Sequence, residues 1–477
     1  MGEESLKGKT VKGVVWSSVE RFSVKGVQFL VMLIIARILD PKDFGLVGML
    51  AIFIALAQSL IDSGFSQALI RKQDRTEVDN NTVFYFNIVV SVILYFLFYA
   101  IAPWVADFYE EQQLTDLMRI LGLVVIIDSL SVVQRAIYTS AINFKIQAKA
   151  SFAAAIASGV AGVYLAMNGY GVWTLVWQQL LNASINAFLL WIYSSWYPKW
   201  QYSWASFNSL FAFGSKMLLS GLLDTTYRHM YGLVIGKIFS ASSLGFYTQA
   251  HRFSDLPSSN VTGIIQRVTY PVLCSIQNDD MRLRKDYRQL LRISAFVIFP
   301  MMCLLAGVAY PLVDLLLGEK WQFAATLLIP LCFSMMWYPV HAINLNLLQV
   351  KGRSDLFLRL EIIKKIIGVT VLILSIPFGL LFMCYSSIAT SVFCLIVNTY
   401  YTGKLIQVGF IMQMRDLLST LVLSLVVFAL SFLSTQLDVA LVIRLIIGLL
   451  IGIAFYVAIA YLFKFRELED LKLMFKR

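Results

Sequence analysis

The sequence predicts an all-α integral membrane protein of about fourteen transmembrane helices, and three observations predict it. Of 477 residues, 59% are hydrophobic and only 14% charged, whereas a soluble domain carries roughly 25% charged residues. Apolar runs of about 20 to 25 residues recur along the whole length, which is what a helix rising about 1.5 Å per residue needs to cross a roughly 30 Å hydrocarbon core. Strict apolar/polar alternation is absent, so helices rather than barrel strands must satisfy the backbone in lipid.

Polar or Gly/Pro-rich joints divide the chain into spans near 12–38, 44–69, 80–102, 114–139, 147–167, 171–194, 209–239, 244–272, 288–316, 323–350, 355–376, 379–403, 416–434 and 439–463. The joints alternate in charge. One set carries Lys7, Lys9 and Lys12, then Arg71, Lys72 and Arg75, then Lys145 and Lys149, Lys199, Arg282 to Arg288, Lys351 and Arg353, Lys404 and Arg415, and the basic tail. The other set has little beyond Lys42 and Lys320 and is acidic in "ADFYEEQQLTD". Short loops rich in Lys and Arg stay in the cytoplasm, so both termini are expected inside and the span number even. The aromatics of "WYPKWQYSW" near 196–204 fit an interfacial belt on the same side.

The net charge of +11 is accounted for by this cytoplasmic excess and does not point to nucleic acid. The polar start "MGEESLKGKTVKG" is not followed by a small-residue cleavage site, so no cleavable signal peptide is expected. Cys274, Cys303, Cys332, Cys384 and Cys394 lie in or beside apolar spans at no metal-ligand spacing, and are expected to pack rather than to form disulfides or hold zinc. No metal or cofactor is expected. No loop is long enough to form a catalytic domain, which disfavours an enzyme, and no G-x-x-x-x-G-K-[ST] loop is present to drive a built-in ATP pump.

An internal repeat organises the spans. "ARILDPKDFGLV" at 36–47 laid over "GKIFSASSLGFY" at 236–247 matches Arg37 with Lys237, Ile38 with Ile238 and Gly45 with Gly245 at a constant offset. Each copy ends one helix and opens the next, so span seven takes the part of span one in a parallel repeat. Two six-helix lobes are expected at 1–205 and 206–405, with two further helices and a tail at 406–477.

The same junction carries a family resemblance. "ARILDPKDFGLVGML" at 36–50 and "LGFYTQAHRFSDLPSSNVTGIIQRVTYPVLCSI" at 244–276 resemble the span 1–2 junction and the eighth span of Wzx-type polysaccharide flippases, a branch of the multidrug/oligosaccharidyl-lipid/polysaccharide (MOP) flippase superfamily. The resemblance implies a two-lobed transporter around a central cavity in the bacterial cytoplasmic membrane, moving a polyprenyl-pyrophosphate-linked oligosaccharide by alternating access. A proton or Na⁺ as coupling ion and a glycan polymerase as partner are implied with it.

Charges inside the spans are the candidate site. An ionised side chain at mid-bilayer costs roughly 3 kcal/mol, so such residues face protein or a wet cavity. Arg21 and Lys25 lie one turn apart on span one, with Gln28 on the same stripe; Lys216, Ser220, Asp224 and Arg228 follow at steps of four on span seven. Span eight adds His251, Arg252, Asp255 and Arg267, and span eleven Glu361, Lys364 and Lys365. By the resemblance, spans one, seven and eight face the cavity. Arg21, Lys25, Lys216, Arg228, Arg252, Arg267 and Lys364 are the candidate ligands of a pyrophosphate, since Arg offers paired donors and Lys a mobile charge. Asp62, Asp128, Asp224 and Asp255 are the ion-coupling candidates; Asp128 is expected to pair with Arg135, leaving Asp62 the more available acid. Snorkelling lysines and internal pairs, Asp224 with Arg228 and Glu361 with Lys364 or Lys365, are the structural alternative. Pro257 is expected to free a backbone carbonyl that Ser258, Ser259 or Asn260 satisfies, at a bend either static or mobile.

Competing functions are a peptidoglycan-precursor flippase, with the same span number and a cationic lumen, and a multidrug antiporter, for which twelve spans and an acidic or apolar cavity are expected. A membrane-embedded polymerase or ligase is the remote alternative, disfavoured by the short loops.

Overall fold

The structure, a computed structural model, describes residues 23–62, 65–72 and 74–469, and among them there are helices and no strands. Among the described residues, ten stretches are long and apolar enough to cross a membrane: Pro41–Arg71, Glu77–Tyr109, Leu114–Ser140, Phe144–Met167, Trp173–Tyr193, Asp280–Gly307, Glu319–Val350, Leu380–Ile406, Phe410–Ser434 and Leu441–Leu462. Each coincides with an expected span. The expected spans outside this set are the four that carry the candidate cations. The chain divides into two compact units, residues 1–245 and 246–477.

In the first unit, α1 (23–38) leads into α2 (Pro41–Asp62), α3 (Phe65–Arg71) and the long α4 (Glu77–Tyr109). Then come α5 (Leu114–Leu121), α6 (Leu123–Ser129) and α7 (Val132–Ser140), which together make one interrupted span. They are followed by α8 (Phe144–Met167), α9 (Trp173–Tyr193) and α10 (Trp204–Ile238). A capping box sets the start of α4. The Thr76 side chain accepts from the Asp79 amide at 3.3 Å, and Asp79, fully buried, accepts from the Thr76 amide at 2.9 Å and from Lys72 Nζ at 2.9 and 2.8 Å. The α3–α4 turn is therefore tied down by one carboxylate. Phe65, Leu69, Phe84, Val133 and Leu210 bury a core beside it.

Small residues let α8 take close neighbours. Ala154, Ala155, Ser158, Gly159 and Gly162 are buried, and a Cβ at Gly159 would meet Val31 of α1 at 2.5 Å. Asn182 and Asn186 of α9 donate to Ser158 and Ser151 at 3.1 and 3.0 Å. Helices in lipid lack a hydrophobic force between them, and such small-residue contacts and interhelical hydrogen bonds supply the association instead.

The sequence repeat is visible as geometry. α1 stops at residue 38 and α2 starts at Pro41; α10 stops at Ile238 and α11 (Ala241–Ser275) starts at Ala241. Gly45 lies so close to the Ala241 carbonyl that a Cβ would fall 1.6 Å from its oxygen, and Gly245 meets the Pro41 carbonyl likewise, at 1.9 Å. The repeat maps Gly45 onto Gly245 and Pro41 onto Ala241, so each contact is the image of the other. Only glycine fits at either place, because the obstacle is backbone.

The unit boundary falls inside α11. The second unit continues with α12 (Asp280–Gly307), α13 (Ala309–Leu317), α14 (Gln322–Met335), α15 (Tyr338–Val350), α16 (Ser354–Ser375), α17 (Leu380–Ile406), α18 (Phe410–Ser434) and α19 (Leu441–Leu462). α12 and α18 pack against each other along their lengths, and Trp321, Tyr287 and Phe299 are fully buried in this unit. α11 runs unbroken through Pro257 and Pro271. After Pro257, Asn260 donates to the Leu256 carbonyl at 2.7 Å, while Ser258 donates out of the helix to the Met335 carbonyl at 2.7 Å and Ser259 to Asp255. Of the three polar residues, one thus serves a carbonyl of its own helix and one anchors α11 to α14.

Candidate functional site

In the first unit the intramembrane charges fall into two kinds. Asp128 on α6 is drawn into the protein: Gln58 of α2 donates to its Oδ2 at 2.9 Å, and Arg135 of α7 lies 3.5 Å from its Oδ1. The Asp128 side chain is 18% exposed. The expected pairing with Arg135 is present, with Gln58 as a third member that sequence spacing does not show. Asp224 and Arg228, one turn apart on α10, form the second kind. Their ion pair is shorter, 2.7 Å, yet Arg228 is 75% exposed and Asp224 44%. Lys25 and Gln28 are exposed on α1. Arg21 lies outside the described residues; Asp62 ends α2 and Lys216 lies in α10, with side chains outside the described part.

In the second unit, α11 exposes Arg252 and Arg267, and Asp255, half-buried, accepts from Ser259 at 3.3 Å. On α16, Lys364 donates to Glu361. Exposed cations inside helices of membrane length have a short list of satisfactory surroundings: water, or an anion. Among the described residues no group of three or more His, Cys, Asp or Glu is placed to hold a metal, and the cysteines are free thiols.

Two polar clusters were not singled out from the sequence. Gln413 Nε2 of α18 lies 3.1 Å from Asn344 Oδ1 of α15, 3.1 Å from the Thr402 hydroxyl of α17 and 3.2 Å from the Tyr287 hydroxyl of α12, while Asn344 donates to Gln413 Oε1 at 3.0 Å. All four residues are buried, and in the interior such satisfied groups specify one arrangement of four helices. His341 bridges Ser391 at 3.0 Å and Asn398 at 3.2 Å. The signal was His341, Asn344 and Asn346 interrupting an apolar run. Nothing in the run named their partners.

The fold is the one shared by MOP-superfamily transporters. It superposes on the lipid II flippase MurJ in its inward closed conformation with a TM-score of 0.79, at 15% identity, covering 95% of this chain and 99% of that one. An inward-facing multidrug resistance MATE family transporter matches with a TM-score of 0.61, at 16% identity, over 83% of this chain and 100% of that one. Residues 34–326 match the model of a family described as polysaccharide biosynthesis protein, more than half of the chain. Among curated relatives, the teichuronic acid biosynthesis protein TuaB of Bacillus subtilis is 24% identical over 74% of this chain and 73% of its own length. The lipopolysaccharide biosynthesis protein WzxC of Escherichia coli is 24% identical over 78% and 76%, and the succinoglycan biosynthesis transport protein ExoT of Rhizobium meliloti 24% over 67% and 65%. The chain belongs to the polysaccharide biosynthesis protein family.

Proposed function

We propose that this protein is a flippase that carries polyprenyl-pyrophosphate-linked oligosaccharide repeat units across the bacterial cytoplasmic membrane for surface polysaccharide synthesis. Membership of the family and the polysaccharide pathways named for its relatives support the substrate class. The observation that carries the mechanism is the exposure of helix-borne cations, with Lys25 on α1, Arg228 on α10, and Arg252 and Arg267 on α11. A multidrug antiporter for cationic compounds has no use for such a surface. We assign Arg21, Lys25, Lys216, Arg228, Arg252, Arg267 and Lys364 to the path of the pyrophosphate, where forked guanidinium donors and mobile ammonium groups replace its hydration.

We count α1, α10, α11 and α16 as spans beside the ten apolar stretches, which makes fourteen. With the basic loops on one side, both termini are then cytoplasmic. The lobes are residues 1–205 and 206–405, followed by the two helices within 406–477. Transport runs by alternating access on a proton or Na⁺ gradient, with Asp62, Asp128, Asp224 and Asp255 the acids available to it, and a glycan polymerase takes the exported unit.

Deleting the gene and identifying the lipid-linked intermediate that accumulates on the cytoplasmic leaflet tests the substrate. An undecorated peptidoglycan precursor accumulating in its place would overturn the assignment. Dissipating both ion gradients in vesicles is expected to stop net transport, and uphill transport that persists would remove the coupling.

A further inference from the structure

The basic end of the second unit holds a cavity that the transport assignment does not use. Its volume is about 1010 Å³, and its walls include Arg288 and Arg292 in the first half of α12, Tyr400 near the end of α17, Ile411 and Arg415 in the first two turns of α18, and Arg466 just after α19. Four arginines on three separate segments face one space.

Two of them face acids. Arg288 grips Asp416 with both forks, Nε to Oδ2 and Nη2 to Oδ1, each at 2.6 Å, and Arg292 Nε lies 3.3 Å from Glu467 Oε1. The other two, Arg415 and Arg466, are exposed and have no acid paired with them among the described residues. Counting Glu467 with the walls, four cations meet two acids, and the unmatched pair is the accessible one. The first turn of α18 opens into the same space, with Gly409 as a cap that offers no side-chain acceptor. Its amides, which the helix itself leaves without partners, add to the positive potential.

The apolar part of the wall decides between anions. Ile411 is 83% exposed and Tyr400 56%, both within reach of the arginines around one cavity. A soluble anion gains nothing from them, whereas a phospholipid presents a phosphodiester to the guanidinium groups and glycerol and acyl carbons to the isoleucine and the ring. Basic pockets between membrane helices close to their polar ends meet that description. We propose that this cavity binds an anionic phospholipid through its phosphodiester, Arg415 and Arg466 supplying the free donors, and that the bound lipid holds the segment carrying Arg466 against α12 and α18.

The test uses the full-length protein purified in detergent and does not depend on transport. Phosphatidylglycerol or cardiolipin is added, the melting temperature is followed, and bound lipid is counted by native mass spectrometry; phosphatidylcholine and inorganic phosphate serve as the comparison probes. The anionic lipids are expected to raise the melting temperature and to stay bound, phosphatidylcholine to do neither, and inorganic phosphate to have no effect at millimolar concentration. The double variant Arg415→Gln, Arg466→Gln removes two unpaired charges, so its lipid-free melting temperature should match the parent while lipid binding weakens about 30-fold. The variants Arg415→Lys and Arg466→Lys should retain part of the binding. Equal binding of phosphatidylcholine, or undiminished binding by the double variant, would overturn the site; a full shift with inorganic phosphate alone would overturn the lipid as its occupant.

Discussion

The two ends of α10 obey different rules. Near its C-terminus Ile235 is fully buried, and a Cβ on Gly236 would meet Met49 at 3.0 Å and Tyr109 at 3.1 Å. From two to more than four turns earlier the same helix is exposed: Leu219 and Leu223 are each 62% exposed, and Asp224 and Arg228 stand on a neighbouring stripe. The buried end has little room for a new atom, because the Met49, Tyr109 and Leu244 side chains already crowd Gly236. The middle is little covered by other helices, and its two charges pair with each other. The distance between opposite charges does not separate the covered pair from the exposed one, since the exposed pair is the shorter; coverage by other helices does.

The contrast can be broken most strongly at the repeat junction. Gly45→Ala places a methyl carbon against the Ala241 carbonyl, and should cost about 3 kcal/mol or more, because neither α2 nor α11 can retreat without losing its own packing. Folded protein recovered from membranes should fall severely, and Gly245→Ala should do the same. A normal yield of either would show that the close approach is not maintained in the membrane.

Next in size is Asp128→Ala, which strands the Gln58 amide and the Arg135 guanidinium together. A loss of roughly 1 to 3 kcal/mol is expected, read as a lower melting temperature in detergent. Asp128→Asn should recover part of it through the retained acceptor for Gln58. If Asp128→Asn melts like the parent yet abolishes transport, Asp128 belongs with the functional charges and the contrast moves.

On the bare stretch, Arg228→Ala should change stability by no more than about 1 kcal/mol, the range of exposed ion pairs. Surface polysaccharide should nevertheless be lost at normal protein level, with Arg228→Lys restoring only part of it because the forked donor is gone. Full export by Arg228→Ala would place this pair among the structural ones.

The smallest effect belongs to the rim of the locked end. Lys237 donates to Glu110 at 2.9 Å and holds this exposed carboxyl below its ordinary range, by the hydrogen bond first and by charge second. A depressed carboxylate contributes stability above its unfolded value, roughly pH 4.3, and loses it as the pH falls through the folded one. Melting curves between neutral and acidic pH should therefore show a slight acid-linked loss that Lys237→Gln removes. An unchanged profile in that variant would show that the pair contributes nothing in solution.

The junction was legible from its sequence because it is local. Helix ends, a glycine and an offset recur at fixed spacing, and the backbone repeats them. The pairs Asp224 with Arg228 and Glu361 with Lys364 were legible for the same reason, since residues three or four apart share a helix face. The polar network around Gln413 was not. Its members come from four helices, and the periodicity of each helix shows only that a polar residue faces inward.

The sequence by itself determined that the chain is helical and membrane-embedded, where its helices turn, and which residues carry charge into the spans. These follow from burial in hydrocarbon, which forces each segment to satisfy its own backbone. Tertiary structure alone decided which charges are covered and which are bare. Gln58 reaches Asp128 across 70 residues and Arg288 reaches Asp416 across 128. Partners so far apart are chosen by which helices pack together and at what height, and a single segment's pattern holds no record of that choice.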